Sequence, residues 1–148
     1  MKILVFTSEQ IHQIRTEGES AYPNECCGAF IGTEDGDHRV VDHLRPLKNS
    51  FEPGEQFHRF RLDPLELAQV EKEAGQKKML VLGFYHSHPD HPARPSEYDR
   101  EHAWPFYSYV ITSIEKGEAA IMTSWTLDEE TEQFNPQEIL MEEIADRE

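Results

Sequence analysis

Met79-Leu80-Val81-Leu82-Gly83-Phe84-Tyr85-His86-Ser87-His88-Pro89 is the stretch that decides how this chain folds. From Met79 to Tyr85 it is apolar without alternation, with a helical pattern before it and prolines after it. A run of this length, punctuated at both ends, reads as a central strand covered on both faces, since a strand covered on one face would alternate. Such a strand needs hydrogen-bonding neighbours along both sides and packed layers above and below. The rest of the sequence supplies candidates for each.

Immediately upstream, Asp63-Pro64-Leu65-Glu66 is a helix start: Asp63 can cap, Pro64 suits the first helical position and Glu66 completes the box. Leu67, Val70 and Ala74 then share one face. Downstream, Tyr107 to Ile114 and Ala119 to Leu127 are expected strands, joined by Glu115-Lys116-Gly117-Glu118. Toward the N-terminus, residues 2–6 (KILVF) read as a strand. Thr7 to Gln10 is a capping-box pattern that opens a helix with Ile11 and Ile14 on its stripe, fading from Gly18 to Tyr22 before Pro23. Cys26 to Thr33 and His38 to Leu44 form an expected hairpin around Glu34-Asp35-Gly36-Asp37. Asn49 to Gln56 is a loop, and Phe57 to Leu62 alternates weakly as a further strand. Pro136 opens an expected last helix over 137–146, acidic and only partly amphipathic. The fold class is mixed α/β: a single central sheet, antiparallel or mixed, flanked by helices.

The chain has 148 residues, one ordinary domain in length, and a formal charge of −15 with no basic cluster to break that field. Nucleic acid and anionic membranes are repelled by such a surface, so neither is an expected partner. The N-terminal apolar run ends at Thr7-Ser8-Glu9, too soon for a signal-peptide core, and no stretch approaches the ~20 apolar residues of a membrane helix. Cys26 and Cys27 are adjacent and read as reduced, core-filling thiols, which points to the cytoplasm.

Positions i and i+2 of a strand point the same way. If the Met79 strand runs on through His88, His86 and His88 project from one face and Ser87 from the other. Pro89, Pro92 and Pro95 stiffen the return to Ser96 and Asp99. Two imidazoles and a carboxylate are three ligands for a Zn²⁺ ion, with a fourth position left for a water, as in catalytic rather than structural zinc sites. The same set can hold other divalent ions. Taken singly, each element has a plainer reading: H-x-H is also two hydrogen-bonded strand-end histidines, S-x-x-D is also a helix cap, and Glu25 is one of many acidic residues. His91 falls in the proline-rich loop and is assigned to the surface. No H-E-x-x-H, C-x-x-C or glycine-rich phosphate loop is present.

Taken together, His86-Ser87-His88-Pro89, Ser96 and Asp99 resemble the JAMM (MPN-plus) metalloprotease motif H-[S/T]-H-P-x(6)-S-x-x-D at every position. Pro23-Asn24-Glu25-Cys26-Cys27-Gly28 resembles the P-x-E-x-C-G segment of the family's compact bacterial members. The resemblance spans roughly residues 3 to 127. It implies the cytidine-deaminase-like JAMM/MPN fold over 1–135, with 136–148 as an acidic helix or tail.

The resemblance also implies roles: His86, His88 and Asp99 as ligands of one Zn²⁺ ion with its bound water, Glu25 as general base, and Ser96 as the donor that steadies an oxyanion. The implied activity is hydrolysis of a peptide or isopeptide bond next to the C-terminal Gly-Gly of a small ubiquitin-like, sulfur-carrier protein, whose tail is the expected partner. An extended tail would lie along a sheet edge and enter a passage that admits only glycine, with Asn49 to Phe57 as a wall. A hydrolase of small peptides or amides, and a non-catalytic MPN-like scaffold, are the alternatives. The full ligand set speaks against the scaffold.

Overall fold

The computed structural model describes residues 2–49 and 64–143. The expected strand over Phe57 to Leu62, the Asp63 cap and most of the Asn49 to Phe57 wall lie outside those residues. The central strand is β4, Leu80–Pro89. Around it the chain forms β1 (Ile3–Thr7), α1 (Ser8–Ala21), β2 (Cys27–Asp35), β3 (His38–Leu47), α2 (Pro64–Gln76), α3 (Glu97–Glu101), β5 (Ser108–Glu115), β6 (Glu118–Leu127), β7 (Phe134–Gln137) and β8 (Ile139–Glu142). The strands make one mixed sheet in the order β7-β6-β5-β4-β2-β3-β1-β8. β4 lies antiparallel to β2 on one side and parallel to β5 on the other, and its run is apolar on both faces because α1 covers one and α2 the other.

The helices start as their residues dictate. Thr7 caps α1 with a reciprocal box to Gln10, and Ile14 is buried beneath it. Val70 and Ala74 of α2 are buried, with Leu67 packed beside them. The Glu66 carboxylate accepts a hydrogen bond from the Lys48 N–H, which ties α2 to the end of β3. Two clusters form the interior. One joins Leu4, Phe6, Ile14, Phe30, Leu82 and Tyr85 on the α1 side of the sheet. The other joins Ala29, Ile31, Val70, Ala74, Val81 and Phe84 on the α2 side. The Tyr85 ring lies flat on Gly28 of the neighbouring strand, where a Cβ would come within 2.2 Å of it.

The C-terminal segment departs from the expected helix over 137–146. Residues 134–142 are extended instead, and 144–148 lie outside the described residues. β7 pairs with β6 and β8 pairs in parallel with β1, yet only Glu138 separates them. The two edges of the sheet therefore meet along one extended segment, and the sheet curls around α1, which touches β1, β4, β5, β6 and β8. An isolated acidic helix here would bury little. In the sheet, Ile139 packs on the core, and Gln137 is buried between the Ser124 hydroxyl and the Lys2 carbonyl. The pairing carries the sheet past residue 135, and Pro136 is tolerated because β7 is an edge strand.

Candidate metal centre

β4 continues through Pro89, so the alternation places His86 and His88 together on the α2 side and Ser87 on the α1 side. Both histidines are buried, at 2% and 7% exposure. Their Nε2 atoms stand 3.1 Å apart, and Asp99 Oδ2 lies 3.3 Å from the first and 3.2 Å from the second. Three ligand atoms at about 2.0–2.1 Å from a tetrahedral zinc would be roughly 3.3 Å apart. The triangle fits one face of such a tetrahedron. It is the one group of three potential ligands within such reach among the described residues.

These three candidate ligands are held by the surrounding structure. His88 Nδ1 lies 2.9 Å from the Pro92 carbonyl oxygen. A carbonyl only accepts, so Nδ1 carries the hydrogen and Nε2 presents its lone pair to the centre. Ser96 caps α3: its hydroxyl accepts from the Asp99 N–H at 3.0 Å, and its own N–H donates to Asp99 Oδ2 at 2.8 Å. The helix cap and the ligand are thus one device, because the box that starts α3 also fixes the carboxylate. Ser96 is exposed, and with its oxygen accepting from the backbone its hydroxyl hydrogen is left to donate. His91 is on the surface, as its place in the loop implies.

Glu25 reaches the same face from the other side of β4. The register pairs Cys27 with His86, and the Ser87 N–H donates to the Cys26 carbonyl, which sets Glu25 level with His88. The Ser87 hydroxyl accepts from the Cys26 N–H at 2.8 Å. The serine of the motif therefore clamps the backbone that carries Glu25. Asn49 Nδ2 adds a bond to the Glu25 carbonyl at 3.5 Å.

The two carboxyls sit in opposite electrostatic settings. Burial pushes Glu25 up to about 8; the nearby His88 pulls it down and the charge of Asp99 pushes it further up. Burial also opposes ionisation of Asp99, but the His86 and His88 rings and the Ser96 N–H outweigh it and hold the group well below the usual carboxylate range. Burial lowers His86, whereas for His88 the bonds to Asp99 and Pro92 overcome burial and raise it. Burial pushes the Cys26 thiol up to about 11 and the Cys27 thiol higher still, so both are unreactive thiols.

Some positioning groups carry no sequence signal. Asp90 has φ of 56° and turns the chain sharply after Pro89. Its carboxylate accepts from the Tyr22 hydroxyl at 2.6 Å and the Lys116 N–H at 2.8 Å. The Thr123 hydroxyl donates to the Ala93 carbonyl at 2.6 Å. These contacts, with the prolines, hold the ligand loop. All are backbone or long-range partners, which motif spacing cannot show.

Residues 7–128, from the cap of α1 through the end of β6, match the family of prokaryotic homologs of the JAB domain. The chain belongs to this family. It is 37% identical over 108 residues to a desampylase of Haloferax volcanii, covering 72% of this chain and 73% of that protein. A solution structure from Desulfitobacterium hafniense aligns with a TM-score of 0.80 at 32% identity, covering 95% of this chain and 93% of the other. A JAB1/MPN domain protein of Archaeoglobus fulgidus aligns with a TM-score of 0.55 at 22% identity, over 95% of this chain and 99% of that one, which supports the fold. The mixed sheet flanked by helices is thus the JAB/MPN architecture.

Proposed function

We propose that this JAB-family chain is a zinc-dependent peptidase that cuts the peptide or isopeptide bond following the C-terminal Gly-Gly of a small ubiquitin-like, sulfur-carrier protein. The observation that carries it is the 3.1–3.3 Å triangle of two imidazole nitrogens and one carboxylate oxygen, with a buried glutamate on its flank. His86, His88 and Asp99 would hold the ion. A zinc bound there would polarise the scissile carbonyl and bring the pKa of a water from 15.7 to about 7.

The chain's own residues supply the rest. Glu25, buried on the flank of the triangle, is the group placed to carry a proton between the water and the leaving amine. Its carboxylate takes a proton from the attacking water as the O–C bond forms, and returns it to the amine nitrogen as the C–N bond breaks. The Ser96 hydroxyl donates to the carbonyl oxygen as that atom gains charge. Pro92 and the α3 cap keep the ligands from reorienting, and Ser87 does the same for the Glu25 backbone.

Likeness to a desampylase supports a ubiquitin-like protein over a small amide as substrate. Two unpaired thiols suit a reducing compartment, and on that ground the proposed location is the cytoplasm. The test is incubation of zinc-loaded protein with a carrier bearing residues after its Gly-Gly, followed by mass spectrometry. Release of the carrier ending in Gly-Gly is expected. An intact carrier with the metal still bound would sink the substrate assignment, and equal rates on short peptides would favour a small-peptide hydrolase.

A further inference from the structure

Beside the ligand triangle lies a cavity of about 220 Å³ whose walls include Phe84, Tyr98, Trp104, Tyr107, Tyr109 and Phe134, and which reaches His86 and Asp99. Its rings are set by one another: Phe84 meets Tyr107 edge-on at 5.0 Å, and Tyr109 meets Phe134 edge-on at 5.8 Å. The Tyr109 hydroxyl accepts from the Trp104 backbone N–H at 2.8 Å, and Tyr98 stacks on His102 at 4.1 Å. Trp104 is 65% exposed. A pre-formed aromatic pocket with an indole left in water is a poor use of apolar surface unless something covers it.

Its place in the sheet indicates what does. β4 and β5 pair Phe84 with Tyr109 and His86 with Ile111, so the pocket extends from the ligands back along the strands, away from His88. Glu25 is level with His88, on the other flank. A base that returns its proton to the leaving amine must have that amine on its own side. The acyl half of an extended substrate then lies over the pocket. An extended chain rises about 3.3 Å per residue, so a pocket centred two strand positions behind the ligands receives side chains two or three residues before the scissile carbonyl.

We infer that this pocket is a specificity site for a large apolar or aromatic side chain on one of the two residues that precede the substrate's Gly-Gly. The inference rests on the assignment of Glu25 as base in the proposed function. It adds a second requirement to the glycine passage: the tail must carry an apolar anchor just before the two glycines. The apolar walls and the chain's strong negative charge disfavour an acidic residue there.

The experiment uses the zinc-loaded full chain and carriers that differ only at those two positions, with Leu or Phe in one set and Ser in the other. Calorimetry measures binding of the product peptides ending in Gly-Gly, and kcat/KM is measured on the same carriers extended past the cut. The apolar set is expected to bind and react about tenfold better or more, as burial of one large side chain allows. Tyr109→Ala should erase most of that preference through KM with zinc content unchanged. Trp104→Ala, at an exposed position that the fold does not need, should reduce it in the same direction. Equal affinity of the two peptide sets, or a preference that follows the residue after the cut instead, would overturn the inference while leaving the peptidase reading intact. Apolar-selective binding without any cleavage would keep the pocket and sink the peptidase.

Discussion

The two flanks of the ligand triangle each present a buried carboxyl, and the two behave in opposite ways. On the α3 flank, Asp99 is surrounded by two imidazoles and a backbone N–H, and it stays ionised far into acid. On the β2 flank, Glu25 has burial as its dominant influence, and without a metal its carboxyl is pushed up to about 8. Desolvation acts on both, and what differs is the polar surroundings: two imidazoles and the Ser96 N–H face Asp99 and outweigh its burial. The first setting suits an anion that could hold a cation. The second suits a group that could gain and lose a proton, and environments that push two titratable groups apart in this way are the pattern of acid–base sites.

Breaking the anionic side should have the largest effect. Asp99→Ala removes a ligand and leaves two facing imidazole nitrogens without their carboxylate. Because loss of an outer-sphere partner alone typically costs 10–100-fold in metal affinity, this change is expected to exceed 100-fold, with activity falling to background. Elemental analysis after dialysis checks it; retention of a full equivalent of zinc would remove Asp99 from the ligand set.

Breaking the protonating side should separate metal from turnover. Glu25→Gln is expected to retain zinc while kcat falls about 10²–10⁴-fold. It should also change the pH dependence of the chelated protein's stability. A carboxyl whose folded pKa lies above its ordinary value stabilises the fold fully in acid, and that contribution is lost as pH rises from about 4.5 through about 8. The melting temperature of chelated wild type should therefore fall more steeply from pH 5 to pH 8 than that of Glu25→Gln, by on the order of 5 °C. Parallel pH profiles would show that the buried glutamate is not protonated. Asp99 carries the opposite sign, its contribution being present above the ordinary carboxylate range and lost only in acid.

A smaller change probes how the Glu25 flank is held. Ser87→Ala deletes the acceptor for the Cys26 N–H. It is expected to cost about 1–3 kcal/mol of stability and to lower kcat with zinc content unchanged. Normal kcat in a destabilised but metal-loaded variant would reduce the serine to a structural role. Salt is the smallest lever. Added KCl should raise the melting temperature by a few degrees by screening the −15 charge, while the steep pH 5–8 slope of the chelated protein persists because its source is buried. A slope abolished by salt would mean that surface charge, rather than Glu25, produces it.

Local chemistry made much of this legible in advance. Thr7 with Gln10 and Ser96 with Asp99 are capping boxes whose partners lie three residues apart, so spacing alone reveals them. His86 and His88 share a face because a strand repeats every two residues. The acidic C-terminal segment was not legible. Its helical pattern is weak, and its extended form is stabilised by edges contributed by β1 and β6, distant in sequence. The same holds for Pro92, whose contribution is a carbonyl that any residue would possess, and for the aromatic pocket, whose rings come from β4, α3, the α3–β5 connection, β5 and β7 with no local repeat.

By itself, then, the order of amino acids determined which side chains could ligate, which strand would carry two of them on one face, and which turn would return the third. Periodicity and capping act over a few residues and are written in the chain. Tertiary structure alone decided that Glu25 would lose its solvent while Asp99 came to lie against two imidazoles, that the sheet would close along residues 134–142, and that six aromatic rings would meet beside the triangle. Desolvation and long-range pairing depend on neighbours brought together only by folding, and no window of sequence contains them.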